Sequence, residues 1–148
     1  MSTVRLVDES TSNPKVQAIF ADIKATKKTE RVANIWRALA TNPDHLEVCW
    51  TRLKAIMQPG KIDLLTKEII ALAVSATNGC RYCINSHTAA VQKLGLDDEA
   101  LGEVLAVVGL FNAMNKLADA YQIEPDILPN AAKSDCPENG QAGNQSAR

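Results

Sequence analysis

The sequence predicts an all-α fold: a single-domain bundle of about six helices with a flexible C-terminal tail. Three observations predict it. Apolar residues make up 46% of the 148 residues and aromatics only 4%, a balance that suits alanine- and leucine-rich helices better than a β-sandwich. Apolar side chains recur at helical spacing in one segment after another. Helix starts and stops punctuate the chain at Asn13-Pro14, Asn42-Pro43, Pro59-Gly60, Asn78-Gly79 and Gly95.

Asn13 caps the first helix and Pro14 fills its first turn. Val16, Ile19, Phe20 and Ile23 then form an apolar stripe. The next segment, Lys24 to Arg31, is basic and polar and reads as a solvated loop or helix end. The formal net charge of −1 gives no electrostatic case for a nucleic-acid partner. A second short helix is expected over about 31–41. Asn42-Pro43-Asp44 starts a third, with Leu46, Trp50, Leu53 and Met57 on one face. Trp36 and Trp50 fall on these stripes and are expected to anchor the core rather than form a stacking platform. Cys49 lies one turn from His45. That pair could be half a metal site, but the expectation is a small buried hydrophobe beside a surface histidine.

The fourth helix runs from about Asp63 to Thr77, closed by Asn78-Gly79, which tolerate the left-handed conformation. A fifth starts near Cys80 and ends at Gly95. Asp97-Asp98-Glu99 are acids suited to a helix N-terminus, and they open a sixth that continues to about Tyr121. Gly102 and Gly109, two turns apart, would let another helix approach closely. The domain is expected over 1–126. Residues 127–148, rich in Pro, Asn, Gln, Gly and Ser, read as the tail, with Cys136 an incidental exposed thiol.

The start, MSTVRLVDES, has no apolar h-region. The nearly apolar runs Ile69 to Ala76 and Val104 to Phe111 are each too short to span a bilayer. The expectation is a cytoplasmic protein without a membrane partner. In a reducing compartment a CxxC is more often catalytic or metal-binding than a structural staple.

That CxxC lies in GCRYCINSH, residues 79–87. On a helix, Cys80, Cys83, His87, Ala90, Val91 and Leu94 share one stripe, so both sulfurs and the imidazole face the same space. Cysteines at i and i+3 can form a disulfide without unfolding the helix. A helix N-terminus stabilises a thiolate, as does a protonated histidine. Glu68 interrupts the apolar face made by Leu64, Leu65, Ala71 and Leu72. A carboxylate there should have a raised pKa unless it finds a partner; otherwise it borders the stripe and reaches water beside Lys67. Three readings stay open from spacing: redox chemistry, a zinc site on Cys80, Cys83, His87 and Glu68, and inert core thiols. No second CxxC, CxxH or HxxxH is present to complete a zinc knuckle.

The run EIIALAVSATNGCRYCINSHTAAVQKLG resembles the alkyl hydroperoxidase D-like family of the carboxymuconolactone decarboxylase superfamily. The matching pattern is a glutamate, eleven residues, CxxC, three residues and a histidine: Glu68, Cys80, Cys83, His87. The match is strongest over about 62–95, and GLFNAMNKLADAYQIEPD resembles the C-terminal helix of the peroxidase-related branch.

The resemblance implies an all-α homo-oligomer, trimer or hexamer, with neither a metal nor a bound organic cofactor. It implies that Cys83 attacks an alkyl hydroperoxide and that Cys80 resolves the sulfenic acid to a disulfide. Glu68 and His87 would relay the proton, and an external dithiol, a lipoyl group on another protein in some relatives, would reduce the disulfide. One position departs from the pattern: Tyr82 stands where some family peroxidases carry a second histidine, and a phenol cannot shuttle protons near neutral pH as imidazole can. The alternatives are a general dithiol–disulfide oxidoreductase, a redox sensor, or a decarboxylase of the same superfamily, whose chemistry needs no CxxC.

Overall fold

The computed structural model describes residues 2–129. Every regular element among them is a helix: α1 (Pro14–Lys27), α2 (Asn34–Leu39), α3 (Pro43–Met57), α4 (Leu64–Thr77), α5 (Arg81–Lys93) and α6 (Asp98–Ala120). The all-α expectation with six helices therefore holds. Residues 130–148, which include Cys136 and most of the expected tail, lie outside the described residues.

The caps form where the sequence places them. The Asn13 side chain accepts from the Lys15 and Val16 amides, Asn42 from His45, and Asp63 from Thr66. Each satisfies amides that the first turn leaves without partners. α2 is shorter than the expected 31–41. The Thr29 hydroxyl engages the Arg31 amide and carbonyl, and Ala33 stays extended at ψ 147°, so the helix starts only at Asn34.

The chain divides into two compact units, Met1–Val108 and Gly109–Arg148. In the first, α1, α2 and α3 bury one core: Val16, Ile19, Phe20, Ile23, Val32, Trp36, Ala40, Leu46 and Trp50. Trp36 and Trp50 meet edge to face at 5.2 Å, as core anchors. The Trp50 indole N–H donates to Asp22 at 2.7 Å, and Lys54 pairs with the same carboxylate. Lys54, then Trp50, hold the Asp22 carboxyl below the usual carboxylate range. A two-ring core thus keeps its one buried donor satisfied by reaching the surface of α1.

α4 and α5 form a hairpin whose tight joint is Asn78-Gly79. Gly79 adopts φ +67°, a conformation that costs glycine little. Leu72 and Val91 are fully buried in this unit. The Lys67 ammonium donates to the Ile56 carbonyl at 2.6 Å and to that of Gln58, tying α4 to the C-terminus of α3. Lys67 therefore caps a neighbouring helix instead of drawing Glu68 out to water.

A Cβ at Gly102 or Gly109 would meet nothing within 4 Å, so among the described residues the close approach that these glycines permit is not used. None of the residues of α6 is buried. Among the described residues, α6 is also long and apolar enough to cross a membrane by length and composition. The apolar runs judged singly did not show this, because the property accumulates along all 23 residues.

Candidate active site

α5 opens on the first cysteine. Cys80 is the N-cap, with non-helical ψ of 88°, and its sulfur accepts from the Cys83 amide at 3.3 Å. The two residues are joined as a disulfide with Cα atoms 5.3 Å apart, inside the range a bridge requires. Cys83 therefore lies in the first turn of α5, where unpaired amides and the helix dipole favour a thiolate once the disulfide is reduced.

Glu68 is the carboxylate that interrupts the face of α4, and it is 6% exposed. Its Oε2 lies 2.7 Å from His87 Nδ1. The buried acid has found its partner on the facing helix, 19 positions later in the chain. With Glu68 ionised, Nδ1 carries the proton and donates it, leaving Nε2 as the nitrogen that can exchange protons. His87 retains 28% side-chain exposure, so the ring is held at one end and open to the site at the other. Positions 83 and 87 are one helical turn apart, which places their Cβ atoms about 5–6 Å from each other.

A cavity of about 650 Å³ brings these groups together. Glu68, Cys83 and His87 all line it, whereas Cys80 does not. Of the two sulfurs, the one on the cavity is thus the one expected to attack. Its apolar wall comes from the first core, through Ile23, Val32, Trp36 and Leu53, with Ala90 from α5. Glu9 fixes that wall: its carboxylate accepts from the Val32 amide at 3.0 Å and pairs with Lys24 at 2.6 Å. Lys24, then Val32, keep the Glu9 carboxyl below its ordinary range.

Three cavity residues lay beyond the sequence reading. Lys27 and Arg31, from the segment expected to be solvated, line the cavity as well as ending α1 and its following turn. Tyr82 was singled out as a departure, but its contact was not foreseen. Its phenol oxygen accepts from the Ile35 amide at 3.3 Å, holding the start of α2 beside α5. The stripe on α5 also ends sooner than spacing suggested, since Leu94 is the C-cap and is exposed.

The donor set leaves little for zinc in this state. The two sulfurs bond to each other and Glu68 is spent on His87. Among the described residues no three His, Cys, Asp or Glu side chains cluster in a way that could hold a metal ion. His45 Nε2 and Cys49 Sγ approach to 3.6 Å; His45 is exposed as expected, but Cys49, expected to be buried, is half-buried on the edge of the core.

The chain is similar in sequence and fold to known proteins. A family model described as the carboxymuconolactone decarboxylase family matches residues 43–123. The chain is 32% identical to the alkyl hydroperoxide reductase AhpD of Solibacter usitatus, over 83% of this chain and 69% of that one. It is 36% identical to the protein of the same name from Streptomyces griseus, over 49% of this chain. The chain spans only 40% of that relative's length. Among solved structures, the alkylhydroperoxidase AhpD core from Rhodospirillum rubrum superposes with a TM-score of 0.82 at 46% identity, over 85% of this chain and 95% of that one. On fold, site geometry and sequence together, the chain belongs to the carboxymuconolactone decarboxylase family, in its AhpD-like branch.

Proposed function

We propose that this protein is a thiol-dependent alkyl hydroperoxide reductase that works in the cytoplasm against oxidative damage. The observation that carries the proposal is the Glu68–His87 pair at 2.7 Å on the cavity that also holds Cys83. The names of the relatives, alkyl hydroperoxide reductase, support it.

In the reduced protein the Cys83 thiol passes its proton to His87 Nε2, the thiolate attacks the terminal peroxide oxygen and the O–O bond breaks. Cys83 becomes a sulfenic acid, and the departing alkoxide takes a proton from His87 to leave as the alcohol. The Cys80 thiol then attacks the sulfenic sulfur, forming the disulfide and releasing water. An external dithiol, such as a dihydrolipoyl group, reduces that disulfide by exchange. The sum is one hydroperoxide and one dithiol converted to alcohol, water and a cyclic disulfide. No bound metal or organic cofactor takes part. Tyr82 in this scheme orients α2 rather than moving protons.

The purified protein is expected to consume an alkyl hydroperoxide continuously when supplied with dihydrolipoamide. Disulfide exchange with dithiols, but no hydroperoxide consumption, would assign it instead as a general dithiol–disulfide oxidoreductase.

We further propose that α6 mediates a homo-oligomer. Val107, Leu110, Phe111 and Met114 recur at helical spacing, and each is about half exposed. A stripe of this length on one helix asks for a partner surface. Leu110→Glu is expected to convert a discrete oligomer to single chains in light scattering. Binding of the native chain to lipid vesicles, in place of a discrete oligomer, would assign the stripe to a membrane.

A further inference from the structure

The cavity carries two opposed kinds of charge. Glu68 contributes a carboxylate and Cys83, when reduced, a thiolate, both on the α4–α5 side. Lys27 and Arg31 contribute two cations from the end of α1 and the turn that follows it. Between these sets the lining is largely aliphatic and aromatic, with Ile23, Val32 and Trp36 nearly or fully buried behind it.

Peroxide cleavage accounts for Glu68, Cys83 and His87 but gives the cations nothing to do. Local structure does not account for them fully either. Lys27 suits the C-terminal end of the α1 dipole, but that effect fades within the last turn, and Arg31 lies beyond it. The nearby Lys24 is committed to Glu9. Among the described residues neither Lys27 nor Arg31 has an ion-pair partner. The Thr29 hydroxyl engages the Arg31 backbone, fixing where that side chain leaves the turn.

We infer that the cavity selects hydroperoxides that are amphipathic carboxylates, namely hydroperoxy fatty acids of medium chain length, over uncharged hydroperoxides. Their alkyl body lies on the wall made by Ile23, Val32, Trp36 and Leu53, and their carboxylate pairs with Lys27 and Arg31. Charge fixes the orientation. A carboxylate turned toward Glu68 and the Cys83 thiolate meets two negative charges that protonated His87 offsets only in part, so the acid end goes to the cations and the peroxide end to the sulfur. The volume suffices, since cavities of roughly 300–1,000 Å³ enclose ligands of this size.

This specificity presupposes the peroxidase activity proposed above, and its test separates the two. The reduced protein is mixed in stopped flow with a hydroperoxy fatty acid, with the methyl ester of the same molecule, and with tert-butyl hydroperoxide. Oxidation of Cys83 is followed without any dithiol present. The acid is expected to react about tenfold more efficiently than its ester, the size two partly exposed ion pairs supply. That ratio should shrink toward one as salt rises, because exposed charges are screened.

In Lys27→Gln combined with Arg31→Gln the ratio should fall to about one, while Lys93→Gln, outside the cavity, should keep it. Each ratio compares two substrates on one preparation, so partial unfolding of a variant cancels. Equal rates for acid and ester in the unaltered protein would overturn the inference, as would a ratio that survives in the double variant. A preference seen only in steady state, and not in the peroxide half-reaction, would move the cations to the dithiol donor and also overturn it. No oxidation by any hydroperoxide, tert-butyl hydroperoxide included, would instead remove the peroxidase assignment itself.

Discussion

Cys83→Ser is expected to abolish hydroperoxide turnover, with a loss of at least about 10³-fold, because among the described residues Cys83 is the only thiol lining the cavity. A hydroxyl at position 83 remains protonated where a thiol in the first turn of α5 ionises. Cys80→Ser should behave differently. Cys83 still attacks, so one equivalent of peroxide is consumed, and the reaction then stalls with an extra oxygen on Cys83 detectable by mass spectrometry. The contrast between the two variants is the informative result. Stalling after one equivalent in Cys83→Ser, with oxygen on Cys80, would reverse the roles. Unimpaired turnover in Cys83→Ser would end the assignment.

Glu68→Gln is expected to lower kcat/KM by about 10²-fold, at the lower end of what a positioned acid–base group contributes. The amide keeps the size of the side chain and a hydrogen bond to His87 but withdraws the negative charge from Nδ1. Without that charge the ring's orientation and tautomer are held less firmly, so Nε2 is a poorer relay. Combining Glu68→Gln with His87→Asn should cost little more than the larger single effect, since both substitutions disable one relay. Fully additive losses would show that the two residues act independently. An unchanged rate in Glu68→Gln would mean that the 2.7 Å contact is structural only.

Much of this arrangement was legible before any coordinates. Cys83 and His87 lie on one short helix, where a turn of 3.6 residues converts spacing directly into direction, whereas Cys80, expected on the same stripe, is the non-helical N-cap and does not line the cavity. Glu68 was legible only in part: a carboxylate inside an apolar stripe is costly without a partner, but spacing left open whether it finds one or reaches water beside Lys67, and the 2.7 Å contact with His87 decides. Neither signal exists for Lys27 and Arg31. They are cations in a polar segment, and only the tertiary fold brings them to the cavity that Glu68, Cys83 and His87 also line. The bond between Tyr82 and the Ile35 amide joins residues 47 positions apart, which no local period encodes. The glycines of α6 permit close approach without requiring it, and among the described residues nothing takes the space.

Because Cys80 and Cys83 are only three positions apart, their bridge closes a minimal loop. A cross-link stabilises a fold mainly by restricting the unfolded chain, and the restriction grows with the length of chain it encloses. Here almost none is enclosed, and Cys80 already caps α5 with the geometry that the bridge uses. By that relation the bridge is worth only about 2 kcal/mol, against about 5 kcal/mol for one that closes a loop of roughly a hundred residues. Reducing it therefore removes far less stability than opening a long-range bridge would, and that suits a bond that is made and broken in every turnover.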